Sequence, residues 1–135
     1  MVAVGFAHLI IEPNSTRSPF FDGAEGDDTA IATFPCIACN ATIRIALWRF
    51  LEDNLSWHRR RPPEHVTELA TLFRLKTELI MDCPTYIGHG SRFPVVGICD
   101  CEQCGHELTV CISYDELSPL HYEAVLDGVA EWAPN

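Results

Sequence analysis

The chain has 135 residues, of which 47% are hydrophobic and 21% charged, and this composition predicts one folded globular domain over residues 1–135 and excludes a disordered or collagen-like chain. No run of 18 apolar residues occurs, which excludes a membrane-spanning helix at the level of the sequence. Nineteen acidic residues stand against nine Lys and Arg, for a formal net charge of −10, so general nucleic-acid binding, which needs basic surfaces, is disfavoured.

The first residues lack the basic segment and the small-residue cleavage site of a secretory signal, so we expect a cytoplasmic protein. The charge is unevenly distributed: residues 93–135 carry eight acids and no Lys or Arg, whereas residues 58–92 carry six bases and four acids. An acidic segment favours a basic protein partner, because oppositely charged surfaces attract one another during association. The alternative is a charge that serves solubility alone. Nothing in the sequence indicates an oligomeric state.

The N-terminal half predicts strands separated by one long loop. Apolar and β-branched residues predict a buried strand over residues 2–11, and the Pro, Gly and acidic residues of 12–30 predict a surface loop. Two further strands, 31–35 and 41–47, flank the first C-x-x-C pair. Residues 48–57 have a period between strand and helix and stay ambiguous.

The C-terminal half predicts two helices and two strands. Pro62 and Pro63 mark a boundary, after which apolar residues at helical spacing predict a helix that begins at Pro63 and is ended by Pro84. Strands 93–99 and 108–112 flank the second C-x-x-C pair. Ser118 and Pro119 are typical of a helix start and predict a final helix over 119–132.

Four of the seven cysteines form two matched pairs, Cys36 with Cys39 and Cys101 with Cys104. Each pair places two sulfurs on one tight turn, and four thiolates complete the tetrahedral shell of a structural zinc ion. Gly105, directly after the second pair, suits such a turn because its backbone can adopt a positive φ. We therefore predict one zinc ion bound by Cys36, Cys39, Cys101 and Cys104.

The segments Phe34–Cys39 and Cys101–Gly105 resemble the four-cysteine modules of the zinc-ribbon class. The resemblance implies a structural zinc held by two turns at the ends of strands. The 61 residues between Cys39 and Cys101 are more than a compact ribbon has. The expected fold is therefore α+β: a small antiparallel sheet built from the two zinc-knuckle hairpins, two or three packed helices and one zinc.

Other interpretations of the cysteines are weaker. A redox C-x-x-C begins a helix, whereas the residues after Cys39 favour a strand, and a zinc deaminase needs an upstream H-x-E that the chain lacks. Cys99 and His106 could substitute as zinc ligands, but we expect neither to bind the metal. Cys83, Cys99 and Cys111 have apolar neighbours and are predicted to be buried or half-buried free thiols.

No arrangement of residues typical of an active site occurs, so we expect a non-enzymatic protein-interaction domain, for instance an immunity protein or antitoxin that inhibits a basic toxin. The alternative is an enzyme or nucleic-acid-processing accessory protein whose site lies in the loop with His89, Ser91 and Arg92. The triplet Arg59–Arg61 is expected to be a solvated turn, or else to pair with the protein's own acids or hold a small anion. The larger aromatic residues are expected in the core: Phe20, Phe21, Trp48, Trp57 and Trp132.

Overall fold

The computed structural model describes residues 7–11, 18–88 and 92–132. Within these ranges it contains nine strands and two α-helices, so the protein is mixed α+β, as the sequence predicts. The strands are β1 (Ala7–Ile11), β2 (Phe21–Ala24), β3 (Ile31–Pro35), β4 (Thr42–Ala46), β5 (Lys76–Ile80), β6 (Cys83–Ile87), β7 (Phe93–Asp100), β8 (Glu107–Ser118) and β9 (His121–Trp132). The helices are α1 (Leu47–Asn54), a 3-10 helix (Trp57–Arg60) and α2 (Pro63–Leu72).

A five-stranded antiparallel sheet lies in the middle of the protein, with the order β1-β9-β8-β7 and with β2 also paired to β9. β8 and β9 form a long hairpin in which Thr109 lies opposite Ala130. Successive side chains of a strand point to opposite faces of the sheet, so Ile112 lies on one face and Cys111 on the other. Every residue from Leu108 to Ser113 is buried, because other elements cover both faces.

The β3–β4 hairpin and α1 cover the first face. In β4 every second residue is buried, which places Ile43 and Ile45 in one core with Val110 and Ile112 of the sheet. α1 follows β4 directly and contributes apolar residues from one side of the helix to the same core, namely Leu47, Phe50 and Leu51.

The 3-10 helix, α2 and β6 cover the second face. Their buried side chains pack on Val96, Cys111 and Ala130 of the sheet. Phe73, at the end of α2, packs against Gly128 of β9, where an added Cβ would lie 2.8 Å from Phe73 Cδ1. Position 128 therefore requires glycine for Phe73 to reach the sheet.

The long helix predicted from Pro63 towards Pro84 is wrong beyond Leu72. α2 ends where Arg74 adopts a left-handed conformation (φ 58°) and the N–H of Leu75 donates to the carbonyl of Ala70. This is the Schellman arrangement, which usually has glycine at the left-handed position. The next residues form the β5–β6 hairpin, whose turn residues Met81 and Asp82 also have positive φ.

The final helix predicted over residues 119–132 is also wrong, because residues 121–132 form β9. Ser118 lies opposite His121, and Pro119 and Leu120 form the turn between them, with Leu120 at φ 64°. Proline followed by a residue of positive φ is typical of a β-turn that usually has glycine second. Because this position has leucine instead of glycine, the turn could not be predicted from the sequence.

The remaining predictions are largely confirmed. Predicted strands 31–35, 41–47, 93–99 and 108–112 correspond to β3, β4, β7 and part of β8. The ambiguous stretch 48–57 is mostly α1, and the predicted loop 12–30 contains β2, while its residues 12–17 lie outside the described ranges. β1 confirms the end of the strand predicted over 2–11, of which residues 2–6 are not described. The two cysteine hairpins belong to two sheets rather than to one.

Candidate metal centre

The two C-x-x-C turns are built alike, one between β3 and β4 and the other between β7 and β8. In both, the N–H of the first cysteine donates to the carbonyl five residues later, and the N–H four residues later donates back to that cysteine's carbonyl. The residue after the second cysteine is left-handed in both, Asn40 at φ 63° and Gly105 at φ 76°. The expectation for Gly105 is confirmed. Sequence analysis missed Asn40, although asparagine adopts this conformation more readily than most residues.

The four predicted ligands meet in space. Their Sγ atoms all lie within 4.8 Å of one another, with Cys36 and Cys104 3.7 Å apart and Cys39 and Cys101 3.6 Å apart. Sulfurs at the corners of a tetrahedral zinc site, with bonds near ~2.3 Å, are separated by about 3.8 Å. The number, type and spacing of these donors therefore fit a metal ion bound by four thiolates.

The cluster lies half inside the protein. Cys36 and Cys101 are each 2% exposed and belong to the core on the first face, together with Phe34 and Leu108. Cys39 and Cys104, the second member of each pair, are exposed. The cluster therefore joins the end of the β3–β4 hairpin to the end of the β7–β8 hairpin, at the edge of the core.

The close thiols affect one another's ionisation. Backbone N–H groups of Cys104 and Gln103 lower the pKa of the Cys101 thiol to about 7. At Cys39 the N–H of Ala41 acts in the same direction, but desolvation and the neighbouring sulfurs outweigh it and raise the pKa to about 12. Four thiolates this close repel one another, so a bound divalent cation is what would allow all four to ionise.

The residues weighed as substitute ligands lie outside the cluster. His106 Nε2 is 2.8 Å from Glu131 Oε2, within hydrogen-bond distance of this carboxylate on β9. Burial raises the pKa of the Cys99 thiol to about 12, and Cys99 and Cys83 are half-buried. Cys111 is fully buried, and burial raises its pKa well above its ordinary value. The prediction that these three cysteines are buried or half-buried free thiols is confirmed.

The other predicted site residues are described only in part. His89 and Ser91 lie outside the described residues, and Arg92 Nη2 is 3.8 Å from Glu123 Oε1. Arg61 lies over the ring of Trp57, with Cζ 5.0 Å from the centroid. The ion pairs found among the described residues do not include Arg59, Arg60 or Arg61.

Several carboxylates lie near the turn that joins β8 to β9. Asp115 of β8, Glu123 of β9 and Asp22 of β2 lie directly opposite one another on three neighbouring strands. We call the turn end of this sheet, with its five acids, the acidic end: Asp22, Glu25, Asp115, Glu116 and Glu123. Sequence analysis found the C-terminal members but missed those contributed by residues 22–25. Asp127 is not part of this surface, because it accepts a hydrogen bond from Ser113 at the β8–β9 bulge.

Aromatic side chains occupy the other face of the same end. Successive rings of Trp48, Tyr122, Tyr114 and Phe93 have centroids 5.5, 6.4 and 5.8 Å apart, and Phe93 is 62% exposed. A hydrogen bond to the Glu116 carboxylate raises the pKa of Tyr122. Of the aromatics expected in the core, Phe21 and Trp57 are buried, Phe20 and Trp48 are partly buried, and the Trp132 side chain is not described.

Comparison with known protein families, curated proteins and solved structures finds no significant match to this chain. Among the described residues, no helix has both the length and the apolar character needed to cross a membrane. The cysteine cluster and the surfaces of the fold are therefore the features that bear on function.

Proposed function

We propose that this protein is a non-enzymatic interaction domain that carries one structural zinc ion and binds a basic protein. More specifically, we propose that it inhibits this basic protein by binding it stoichiometrically, as an immunity protein or antitoxin inhibits a bacterial toxin. The observation that supports a basic partner is the row of three carboxylates on adjacent strands, Asp115, Glu123 and Asp22.

Zinc is the proposed metal because four thiolates at tetrahedral spacing suit it. Four protein ligands leave no coordination position for water or substrate, so the ion would be structural rather than catalytic. It would close the loop of 61 residues between Cys39 and Cys101, and closing a long loop is entropically costly without a cross-link. Because the site needs reduced thiols, we also propose a reducing compartment, the cytoplasm.

The basic partner is inferred from the excess of carboxylates over cations at the acidic end. Like charges placed directly opposite one another in a sheet destabilise it. Arg92 and His121 lie beside this row, but the acidic end still has more carboxylates than cations. A basic protein would compensate this charge, and the half-exposed aromatic rings beside it would contribute apolar contact and attract cationic side chains.

The proposal is tested with two charge-reversed variants of equal net charge. Asp22→Lys with Glu116→Lys changes exposed residues of the acidic end, whereas Glu52→Lys with Glu78→Lys changes exposed residues of α1 and β5. The wild type and both variants are used to capture binding proteins, which mass spectrometry identifies. Association rates with the most enriched protein are then measured at ~0.05 M and ~0.5 M salt.

We expect a basic partner that binds the wild type and the α1/β5 variant alike. At low salt it should associate about tenfold or more slowly with the acidic-end variant, because electrostatic steering mainly sets the association rate. Salt should reduce that difference. A captured partner without excess positive charge, or equal kinetics for all three proteins, would remove the acidic end as the binding surface.

A further inference from the structure

A cavity of about 190 Å³ lies beside the edge strand β7, between the 3-10 helix, β6 and the start of β7. Its walls include the aromatic rings of Tyr86, Phe93 and Tyr114 together with the polar side chains of His58 and Arg59. An apolar cavity of ~150 Å³ is enough to hold a benzene molecule. This cavity can therefore accept a single aromatic ring with a small substituent.

Two buried polar atoms of the cavity residues have no hydrogen-bond partner, namely His58 Nε2 and Tyr86 Oη. The two rings are neighbours, with centroids 5.6 Å apart, and Tyr86 is only 5% exposed. Buried polar groups are almost always hydrogen-bonded, so each orphaned one needs an explanation. A ligand that supplies hydrogen-bond acceptors would satisfy both.

The protonation states of both side chains suit donation. Burial, with a smaller effect from the Arg59 charge, lowers the pKa of His58, so its ring is neutral near pH 7 and one of its nitrogens carries a proton. Burial raises the pKa of Tyr86 well above its ordinary value, so its hydroxyl keeps its proton. Both groups can donate to an oxygen.

Arg59 supplies a positive charge at the same place. It is exposed, no ion pair among the described residues includes it, and none of the described lining residues is acidic. Its neighbour Arg61 lies over Trp57, and Arg60 does not line the cavity. The cavity thus combines apolar aromatic walls with one guanidinium and two hydrogen-bond donors, although the chain as a whole is acidic.

We propose that this cavity binds a small aromatic carboxylate. The ring lies against the aromatic walls, and the carboxylate is held by Arg59 together with His58 and Tyr86. Such a site is independent of the metal and goes beyond the proposed interaction function, although its walls include Phe93 and Tyr114, two of the aromatic rings beside the acidic end. It also assigns a role to one arginine of the triplet Arg59–Arg61, for which the sequence left a small-anion site open.

The probe is sodium benzoate, titrated into the full chain as purified, with binding followed by calorimetry and by NMR shifts of the His58 and Tyr86 rings. Arg59→Gln removes the exposed guanidinium without disturbing the core, and Arg60→Gln removes the same charge one residue away from the cavity. Benzyl alcohol and acetate serve as comparison ligands, because each lacks one half of the proposed ligand.

We expect saturable benzoate binding that shifts both rings. Arg59→Gln should weaken it by about tenfold, as loss of a hydrogen bond to a charged group does, while Arg60→Gln changes it by less than about twofold. Tyr86→Phe should also weaken benzoate more than benzyl alcohol. The proposal is overturned if benzoate does not saturate, if Arg59→Gln binds it as the wild type does, or if acetate binds as tightly as benzoate.

Discussion

The side chain of Asn54 occupies the space that a β-carbon at position 97 would need. A Cβ added to Gly97 would overlap Cγ and Oδ1 of Asn54. In this position Asn54 Oδ1 accepts the N–H of Ile98 at 3.3 Å, and its Nδ2 donates to the carbonyl of Phe50 at 2.9 Å. Because β7 is an edge strand, the contact attaches α1 to the sheet and also covers one N–H of an otherwise open edge.

Gly97→Ala should therefore lower the free energy of unfolding by about 2–4 kcal/mol, since the added methyl group displaces Asn54 and breaks its hydrogen bond to β7. Gly26→Ala is the matched control: Gly26 has φ 79° and nothing within 4 Å of an added Cβ. That change should cost only about 1 kcal/mol, from backbone strain alone. Urea-induced unfolding measures both, and equal losses would contradict the packing argument.

Cys104→Ser should abolish stoichiometric metal binding, because it removes one of four clustered thiols. Cys83→Ser changes a cysteine outside the cluster and should keep one zinc per chain. Structural zinc contributes about 10–16 kcal/mol in small peptides, which equals or exceeds the whole stability of a typical domain, about 5–15 kcal/mol. Loss of the ion should thus abolish cooperative folding.

Elemental analysis for zinc and iron, with thermal unfolding before and after a chelator, checks this expectation. Iron instead of zinc would refute the assigned metal, because both accept four thiolates. A fold that stays cooperative with well under one equivalent of any metal would refute the structural role.

Replacing residues at the left-handed turn positions should stabilise the protein. Met81→Asn with Asp82→Gly introduces the pair that tight hairpin turns with two positive φ angles prefer, and Arg74→Gly supplies the usual residue after α2. We expect a gain of about 0.5–1 kcal/mol from each replacement, because the left-handed conformation is unfavourable for most side chains.

Lys76→Gly, a glycine placed in β5 rather than at a turn, is the control and should destabilise by about 0.5–1 kcal/mol. Urea-induced unfolding compares the variants. A loss of stability in Arg74→Gly would show that its side chain contributes more than its conformation costs.

Acid should destabilise the protein partly through His58. Burial and the nearby Arg59 charge lower its folded-state pKa, whereas an unfolded histidine titrates near ~6.5. As the pH falls from about 7 towards 5, the unfolded chain binds a proton that the folded chain resists, so the free energy of unfolding decreases.

His58→Gln should therefore flatten the dependence of stability on pH in this window, while His65→Gln on α2 serves as the comparison. All other titratable groups are common to the wild type and His58→Gln, so the difference between those two curves isolates His58. Denaturation midpoints measured at several pH values test this, and parallel curves for the two variants would contradict it.

The elements that sequence analysis misassigned have a common physical cause. Arg74 ends α2, Met81 and Asp82 form the β5–β6 turn, and Leu120 helps form the β8–β9 turn, all with positive φ. Glycine is the residue that normally marks such places, and none of these four positions has it. Without a glycine, the helical spacing of apolar residues in α2 continues into the sequence of the β5–β6 hairpin, and that hairpin is predicted as helix. For the same reason Ser118–Pro119 is predicted as a helix start rather than as part of a turn.

The sequence by itself determined the four clustered cysteines, the strands beside them and the excess of acid towards the C-terminus, because ligand spacing, strand alternation and charge are local or compositional properties. Only the tertiary structure decided that Asp22 lies in one row with Asp115 and Glu123, that Asn54 fits over Gly97, and that His58 and Tyr86 share a cavity with Arg59. These relations depend on strand register and on packing between segments far apart in the chain. Both the register and the packing depend on which apolar faces of the strands and helices can be buried against one another. No local pattern of residues specifies that combination.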